Sequence, residues 1–415
     1  SSRRAPTRRL EDLPLVRGTG AYVGDLVTSD TLHCAFVRSP VAHGTITEID
    51  TSMATDEPGV VGIYTAEDLD LTDIPSVTGR GPGADYMTRP VLARDRVRFV
   101  GDAVAVVVAT SERAAADAAD LVWVEVDELP VVDDPETAAT SDVHLYEGGP
   151  NIAATLRLAE GPELDSPPEV TSTVDVVSQR LAPVSIETLA ILADGSVSPL
   201  HVWAGHQAPH RLRNQLSKML GIDELRVTVP DVGGAFGMKG MFFPEYLVIT
   251  DLARKLGRRV VWIQTRREQF TTGTHGRAQR HRVTLEGSAD GRISLAKIDL
   301  LAETGAYPHN GSAIPMFSRL VATGMYDIPR LEFDTTIVVT NRAPTGSYRG
   351  AGRPEAALAI ERAIDAYARQ AGLDPIEVRR KNAINELPHT TPTGAVYDSG
   401  DYVAAIDMAM DMIDL

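Results

Sequence analysis

Cysteine is nearly absent: the chain of 415 residues contains one, Cys34. One thiol cannot close a disulfide within the chain. Nor can it build a cysteine-ligated zinc or iron–sulfur site, because those take several thiolates. If the protein does redox chemistry, its electron carriers sit elsewhere. In Leu32-His33-Cys34-Ala35-Phe36-Val37 the residue reads as a small buried hydrophobe in a strand core. Long apolar runs are missing too, and none approaches the ~18–20 residues that cross a bilayer. The basic start Ser1-Ser2-Arg3-Arg4 has no apolar stretch after it and does not read as a secretory signal. Positive charge is in deficit, with 40 Lys and Arg against 57 Asp and Glu for a net charge of −17. That balance speaks against a general nucleic-acid binder, whose affinity rests on cations neutralising phosphates. The expectation is a cytoplasmic protein with neither a membrane nor a nucleic-acid partner.

What is present is an ordinary globular composition, 43% hydrophobic and 23% charged, ample for a large core. The length suggests two to three domains. Residues 1–14 read as a basic N-terminal arm. Strands are expected at 32–38, 44–49 and 60–64, with a Pro- and Gly-rich loop at 73–85. The run Ala103–Ala109, a helix capped by Thr110 or Ser111 and a strand from 121 form a βαβ-like unit. Pro, Gly, Ser and acidic residues from 133 to 168 place a domain boundary near 145. Beyond it, strands are expected at 197–203 and 226–229. Helices are expected at Pro209–Leu220, Pro244–Leu256 and 354–370, each closed by glycine. Strands on either side of Asp290-Gly291 suggest a hairpin. Asp374-Pro375-Ile376-Glu377 reads as a capping box opening a further helix. The fold class is mixed α+β.

Two glycine-rich loops stand between strand and helix. The loop at 233–240 fits an anion cradle and a purely structural turn equally well. It is not a Walker A loop, because Met238 and Gly240 occupy the wrong positions, and its glycines do not match the dinucleotide pattern. The loop at 346–353 pairs three glycines with Arg349 and Arg353, a partner set for phosphate or carboxylate or simply a surface turn. His206 and His210 are four apart but lack the glutamate of a zinc helix, so solvated or capping roles are expected. No G-x-S-x-G exists to support a serine hydrolase. Arg266, Arg267, Glu268, His275 and Tyr307 fit a funnel lining or solvated surface alike.

Taken in order, several segments resemble one family: the large, molybdenum-cofactor-binding subunit of the xanthine dehydrogenase/aldehyde oxidase/carbon monoxide dehydrogenase hydroxylases. Arg17-Gly18-Thr19-Gly20-Ala21-Tyr22-Val23-Gly24-Asp25, Arg38-Ser39-Pro40-Val41-Ala42-His43 and Val100-Gly101-Asp102-Ala103-Val104-Ala105 resemble its a/b hammerhead domain, assigned to 15–145. Four further segments resemble the first half of its molybdopterin-binding domain, assigned to 146–415. They are Gly205-His206-Gln207-Ala208-Pro209-His210, Gly233-Gly234-Ala235-Phe236-Gly237-Met238-Lys239, Thr274-His275-Gly276-Arg277 and Tyr348-Arg349-Gly350-Ala351-Gly352-Arg353-Pro354-Glu355.

The resemblance implies roles for these residues. Gln207 matches a glutamine whose amide hydrogen-bonds an oxygen on the molybdenum. Gly234, Ala235, Phe236 and Gly237 match the loop lying against the cofactor, and Arg349 matches an arginine on its far side. Because the pterin dithiolene holds the metal, no protein ligand to it is expected. Gly240, Gly350 and Ala351 fall at the substrate pocket. Gly240 lacks the glutamate, and Ala351 the aromatic ring, of purine-oxidising relatives. Gly350 lacks the cysteine that holds copper in carbon monoxide dehydrogenases, so neither purine nor CO oxidation is implied. Ser185-Ile186-Glu187-Thr188 loosely follows a family Pro-Leu-Glu-Thr segment.

The implied reaction is hydroxylation of an aldehyde or N-heteroaromatic substrate, with water as the oxygen source. The implied cofactor is molybdopterin with molybdenum, in the cytosine dinucleotide form of bacterial enzymes, with [2Fe-2S] and FAD on partner subunits. Family members run about as long again. The general-base glutamate is expected in that remainder, so no catalytic residue is assigned here and the chain alone is expected to be inactive. A split gene, a cleaved polypeptide or one piece of a larger subunit would each require a complementary chain carrying the other half. The rival expectation is a non-catalytic scaffold or assembly factor that keeps the fold.

Overall fold

The computed structural model describes residues 9–413 except 77–82, 84 and 165, so most of the loop expected at 73–85 lies outside the described residues. The first part runs α1 (Asp12–Val16), β1 (Leu32–Arg38), β2 (Gly44–Asp50), α2 (Ser52–Thr55), β3 (Val60–Thr65), β4 (Arg96–Val97) and β5 (Ala103–Ala109). It continues through α3 (Glu112–Ala119), β6 (Trp123–Glu128) and α4 (Pro135–Ala138). Then follow β7 (Ile152–Glu160), β8 (Val170–Ser178), β9 (Ala190–Asp194), β10 (Leu200–Ala204), α5 (Pro209–Leu220) and β11 (Leu225–Thr228). After α6 (Pro244–Leu256), β12 (Arg259–Ile263) and α7 (Arg266–Thr272) come β13 (Gln279–Gly287), β14 (Ile293–Glu303), α8 (Ile314–Leu320) and β15 (Arg330–Val338). The helices α9 (Arg353–Ala371), α10 (Pro375–Asn382) and α11 (Tyr402–Ile413) close the chain.

Two sheets carry the molecule. A seven-stranded sheet runs β11-β10-β9-β12-β1-β5-β3, so strands from before and after residue 145 share it, joined by the parallel pair β1–β12. Within it, β5 is an unbroken Ala/Val run buried along its whole length, as a strand covered on both faces must be. A five-stranded sheet runs β7-β15-β14-β13-β8 and receives α9 on one face. Ala356, Ala359, Ile360, Ala363, Ile364, Tyr367 and Ala368 form one buried stripe of α9 at the helical repeat. The alanines let the helix approach the sheet closely. A small sheet of β4-β2-β6 completes the first part. By contrast, α11 has no buried residue, and Met408, Met412 and Ile413 on it are exposed. Among the described residues no helix is long and apolar enough to cross a membrane.

The helices at Pro209–Leu220 and Pro244–Leu256 have the predicted bounds. Each starts on a proline in its first turn and ends at a left-handed glycine, Gly221 or Gly257. Ser111, not Thr110, caps α3. The βαβ-like expectation fails: β5 lies in the large sheet between antiparallel neighbours, while β6 pairs with β2 in the small one. The polar Glu125, Asp127 and Glu128 of β6 suit an open strand, not one buried beside β5. The strand expected at 197–203 begins instead at Leu200. Pro199 has no N–H, and β10 is paired on both sides. Asp374 caps α10 through the Ile376 and Glu377 N–H groups, but Glu377 turns to Arg380 and no reciprocal capping bond forms.

Candidate functional site

Three segments converge at the glycine-rich loop. Gln207 leads into α5, and its backbone N–H donates to the Lys239 carbonyl at 2.9 Å. Its side-chain Oε1 accepts from the Gly237 N–H at 3.0 Å. That pairing sets the amide so that Nε2 is a donor without a partner among the described residues. His206 stiffens the same segment: Nδ1 accepts from the Ala208 N–H at 3.0 Å and Nε2 faces the Met241 carbonyl at 3.2 Å. It is therefore a buried, neutral bracing residue, with its pKa lowered by burial and Arg211 against the pull of the Met241 carbonyl. His210 is exposed, so the two histidines do not share an environment.

Loop 233–240 is held from below by an ion pair whose cation is buried. Lys239 is fully buried, and its Nζ lies 2.6 Å from Glu187 Oε2. The same oxygen accepts the Gly233 N–H at 2.8 Å, while the Glu187 N–H donates to the Gly233 carbonyl at 3.0 Å. Above this strut the backbone turns sharply, with φ of 95° at Gly234, 52° at Phe236 and 102° at Gly237. The turn leaves three consecutive N–H groups, Gly234, Ala235 and Phe236, with no acceptor among the described residues. Successive unpaired amides of this kind make an oxygen- or anion-binding concavity.

The second loop meets the first edge to edge. The Arg349 N–H donates to the Phe236 carbonyl at 2.9 Å, and a Cβ added at Gly237 would sit 2.6 Å from the Ser347 carbonyl oxygen. Arg277 braces this loop: its guanidinium donates to the Tyr348 and Arg349 carbonyls at 3.4 and 2.8 Å. It also lies 4.7 Å over the Tyr348 ring and pairs with the buried Glu355 carboxylate at 3.2 Å. The Arg349 side chain is exposed, with no partner among the described residues. All four non-glycine residues at positive φ among the described residues, Phe236, Arg277, Ala278 and Ala351, lie in or beside these loops. Such strain persists only where surrounding structure enforces it, and it collects at functional sites.

The structure thus brings Gln207, Gly234–Gly237 and Arg349 together. Of the three small residues expected at a substrate pocket, Gly240 lies nearest Gln207 and Arg211, which donates to its carbonyl. Gly350 and Ala351 sit in the second loop, where a Cβ on Gly350 would meet the Pro354 ring at 2.5 Å. Tyr307 lines no funnel: it is buried and donates to Asp102 at 2.7 Å. Arg266 holds the carbonyls of Ser185 and Ile186, and Glu268 pairs with Arg38. Sequence reasoning placed Glu187, Lys239 and Glu355 in family-like segments but gave none of them a role. A lysine amid glycines reads as solvated, and nothing local points to a carboxylate 52 residues upstream. Cys34 is buried, its thiol pKa raised by desolvation, and is not poised to bind metal.

Two family models match the chain. One, described as "Molybdopterin cofactor-binding domain", covers residues 163–383. The other, described as "Aldehyde oxidase and xanthine dehydrogenase, a/b hammerhead domain", covers 17–130. The chain is 36% identical to the nicotine 6-hydroxylase large subunit of Paenarthrobacter nicotinovorans, over 98% of this chain and 51% of that protein. It is 33% identical to the carbon monoxide dehydrogenase large chain of Hydrogenophaga pseudoflava, over 97% of this chain and 53% of that protein. Among solved structures, quinoline 2-oxidoreductase from Pseudomonas putida 86 superposes with a TM-score of 0.89 at 32% identity, covering 98% of this chain and 54% of that one. The chain spans about half the length of the curated relatives it matches.

Proposed function

The chain belongs to the molybdopterin-binding large subunits of the xanthine dehydrogenase and aldehyde oxidase family, and from that premise we propose that it supplies the first half of a molybdenum hydroxylase site. Its substrate is an aldehyde or an N-heteroaromatic compound. The cofactor is molybdopterin in the cytosine dinucleotide form. When bound, that group supplies the two-electron oxidation in which water provides the oxygen added to the substrate. One observation carries the reading: three consecutive backbone donors at 234–236, unpaired among the described residues, beside the free Nε2 of Gln207.

The residues present fit such a group. Fixed donors stabilise oxygen ligands without having to reorganise. In this reading Gly234 to Gly237 would hold the cofactor, with the Phe236 N–H and Gln207 Nε2 as hydrogen-bond donors to it. Arg349, exposed on the second loop, would add a positive charge to the site. A chain with one inert thiol suits a metal held by a pterin dithiolene. Gly240, Gly350 and Ala351 border the substrate, where their small size leaves room for a ring and removes both a carboxylate and an aromatic clamp.

No general base is assigned to this chain. The active cytoplasmic enzyme joins these residues to those that its relatives carry in their other half. Electrons leave through [2Fe-2S] and FAD subunits. Oxygen tracing tests the proposal: the assembled complex, given an aldehyde or a pyridine-type heterocycle in isotopically labelled water, is expected to place the label in the product. Product oxygen drawn from O2, or robust turnover by the 415-residue chain alone, contradicts it.

A further inference from the structure

We propose that Glu187 and Lys239 are positioning residues that hold Gln207 and the 233–237 turn in a single geometry. The inference rests on the preceding reading only for what is being positioned.

Burying an ammonium group with no exposure is unfavourable unless a carboxylate compensates it. Met or Leu would fill the same space without that cost, so the charge calls for an explanation beyond packing. The bonding supplies one. Glu187 Oε2 takes both Lys239 Nζ and the Gly233 N–H, at 2.6 and 2.8 Å. Lys239 in turn receives the Gln207 N–H on its carbonyl, and Gln207 Oε1 receives the Gly237 N–H. These bonds close a ring: Glu187 to Gly233, along the turn to Gly237, across to Gln207, and back through Lys239. Gly205 leaves room for the pair, since a Cβ there would sit 3.3 Å from Glu187 Oε2 and 3.6 Å from Lys239 Nζ. Segments 185–188, 205–207 and 233–240 therefore meet at one ion pair. In a closed ring the loss of one link loosens the others. The donor of Gln207 and the unpaired amides of 234–236 are then set by a contact neither of them makes.

The test is residue-resolved hydrogen exchange on the 415-residue chain at pH 7. In Glu187→Leu, exchange at the Gly233 and Gln207 amides is expected to rise together by roughly tenfold or more, the loss of about one net hydrogen bond. Amides of Val104–Val108 should stay at the parent rate. In Glu187→Gln, which keeps an oxygen for both Gly233 and Lys239, protection at Gly233 should return to within roughly threefold of the parent. If the leucine variant fails to fold, the neutral pair Glu187→Gln with Lys239→Met carries the test. It is expected to raise exchange at Gln207 while leaving Val104–Val108 unchanged. A rise at Gly233 with Gln207 unmoved, no rise at either, or a parallel rise across the whole chain overturns the proposal. Exchange is read without cofactor. An absence of molybdenum from the purified complex would therefore refute the functional reading and leave this inference standing.

Discussion

The two glycine-rich loops solve one problem in opposite ways. Both join a strand to a helix through positive-φ residues, and both are braced by a pairing of a cation with a carboxylate. In the first loop the brace acts on a backbone N–H: Glu187 takes the Gly233 amide, and Lys239 compensates the carboxylate. What remains unpaired above it, among the described residues, is backbone, the amides of 234–236. In the second loop the brace acts on carbonyls: Arg277 holds the oxygens of Tyr348 and Arg349. What remains unpaired there, among the described residues, is a side chain, the Arg349 guanidinium. The first loop therefore offers donors fixed by the fold, and the second offers a charge that substitution can remove without disturbing the fold.

The most severe way to break this parallel is Arg277→Met, which leaves Glu355, fully buried, without its cation. A loss of about 3–5 kcal/mol in stability is expected, read by urea denaturation. Lys239→Met should cost less, because Glu187 is partly exposed and keeps the Gly233 N–H. Equal losses would mean that the two struts do not differ in the way described. Next in size is Gly237→Ala. It combines a φ of 102° with a Cβ 2.6 Å from the Ser347 oxygen, where the loops touch. The expected cost is about 1–3 kcal/mol. A neutral outcome would show that the loops are not in close register.

Acid should weaken the second loop's support. His275, two residues before Arg277, accepts from Arg180 on Nδ1 at 3.2 Å and faces the Phe270 carbonyl with Nε2. Burial, with Arg180 beside it, pushes its pKa from 6.5 down to about 4. Burial does the same to His281, also to about 4. Between those values the unfolded chain binds more protons than the folded one. Stability is then complete above pH 6.5 and falls toward pH 4, by at most about 1.4 kcal/mol per pH unit for each histidine. Urea midpoints at pH 7 and pH 5 check the sign, and an unchanged or higher midpoint at pH 5 contradicts it. The smallest effect is expected from Arg349→Ala. Stability should stay within about 0.5 kcal/mol of the parent, since the side chain is exposed and unpartnered among the described residues.

Much of the fold was legible. Proline at the first turn and glycine at the end bounded α5 and α6, because those two residues act through local backbone geometry. The hairpin at Asp290-Gly291 followed in the same way. The exchange of partners by β6 and the pairing of β1 with β12 were not legible. Both depend on which edges meet in space rather than on periodicity. At the site, the glycines and Gln207 were singled out through resemblance. Glu187, Lys239 and Glu355 lay within the family-like segments but without a role, because an ion pair leaves two ordinary charged residues far apart in sequence and no local pattern.

The measurement that bears most directly on the central claim is the ratio of molybdenum to this chain in the natively purified complex. The account predicts a value near one, accompanied by pterin. A purified, intact complex with no molybdenum would contradict it and leave a scaffold that keeps the fold without the chemistry.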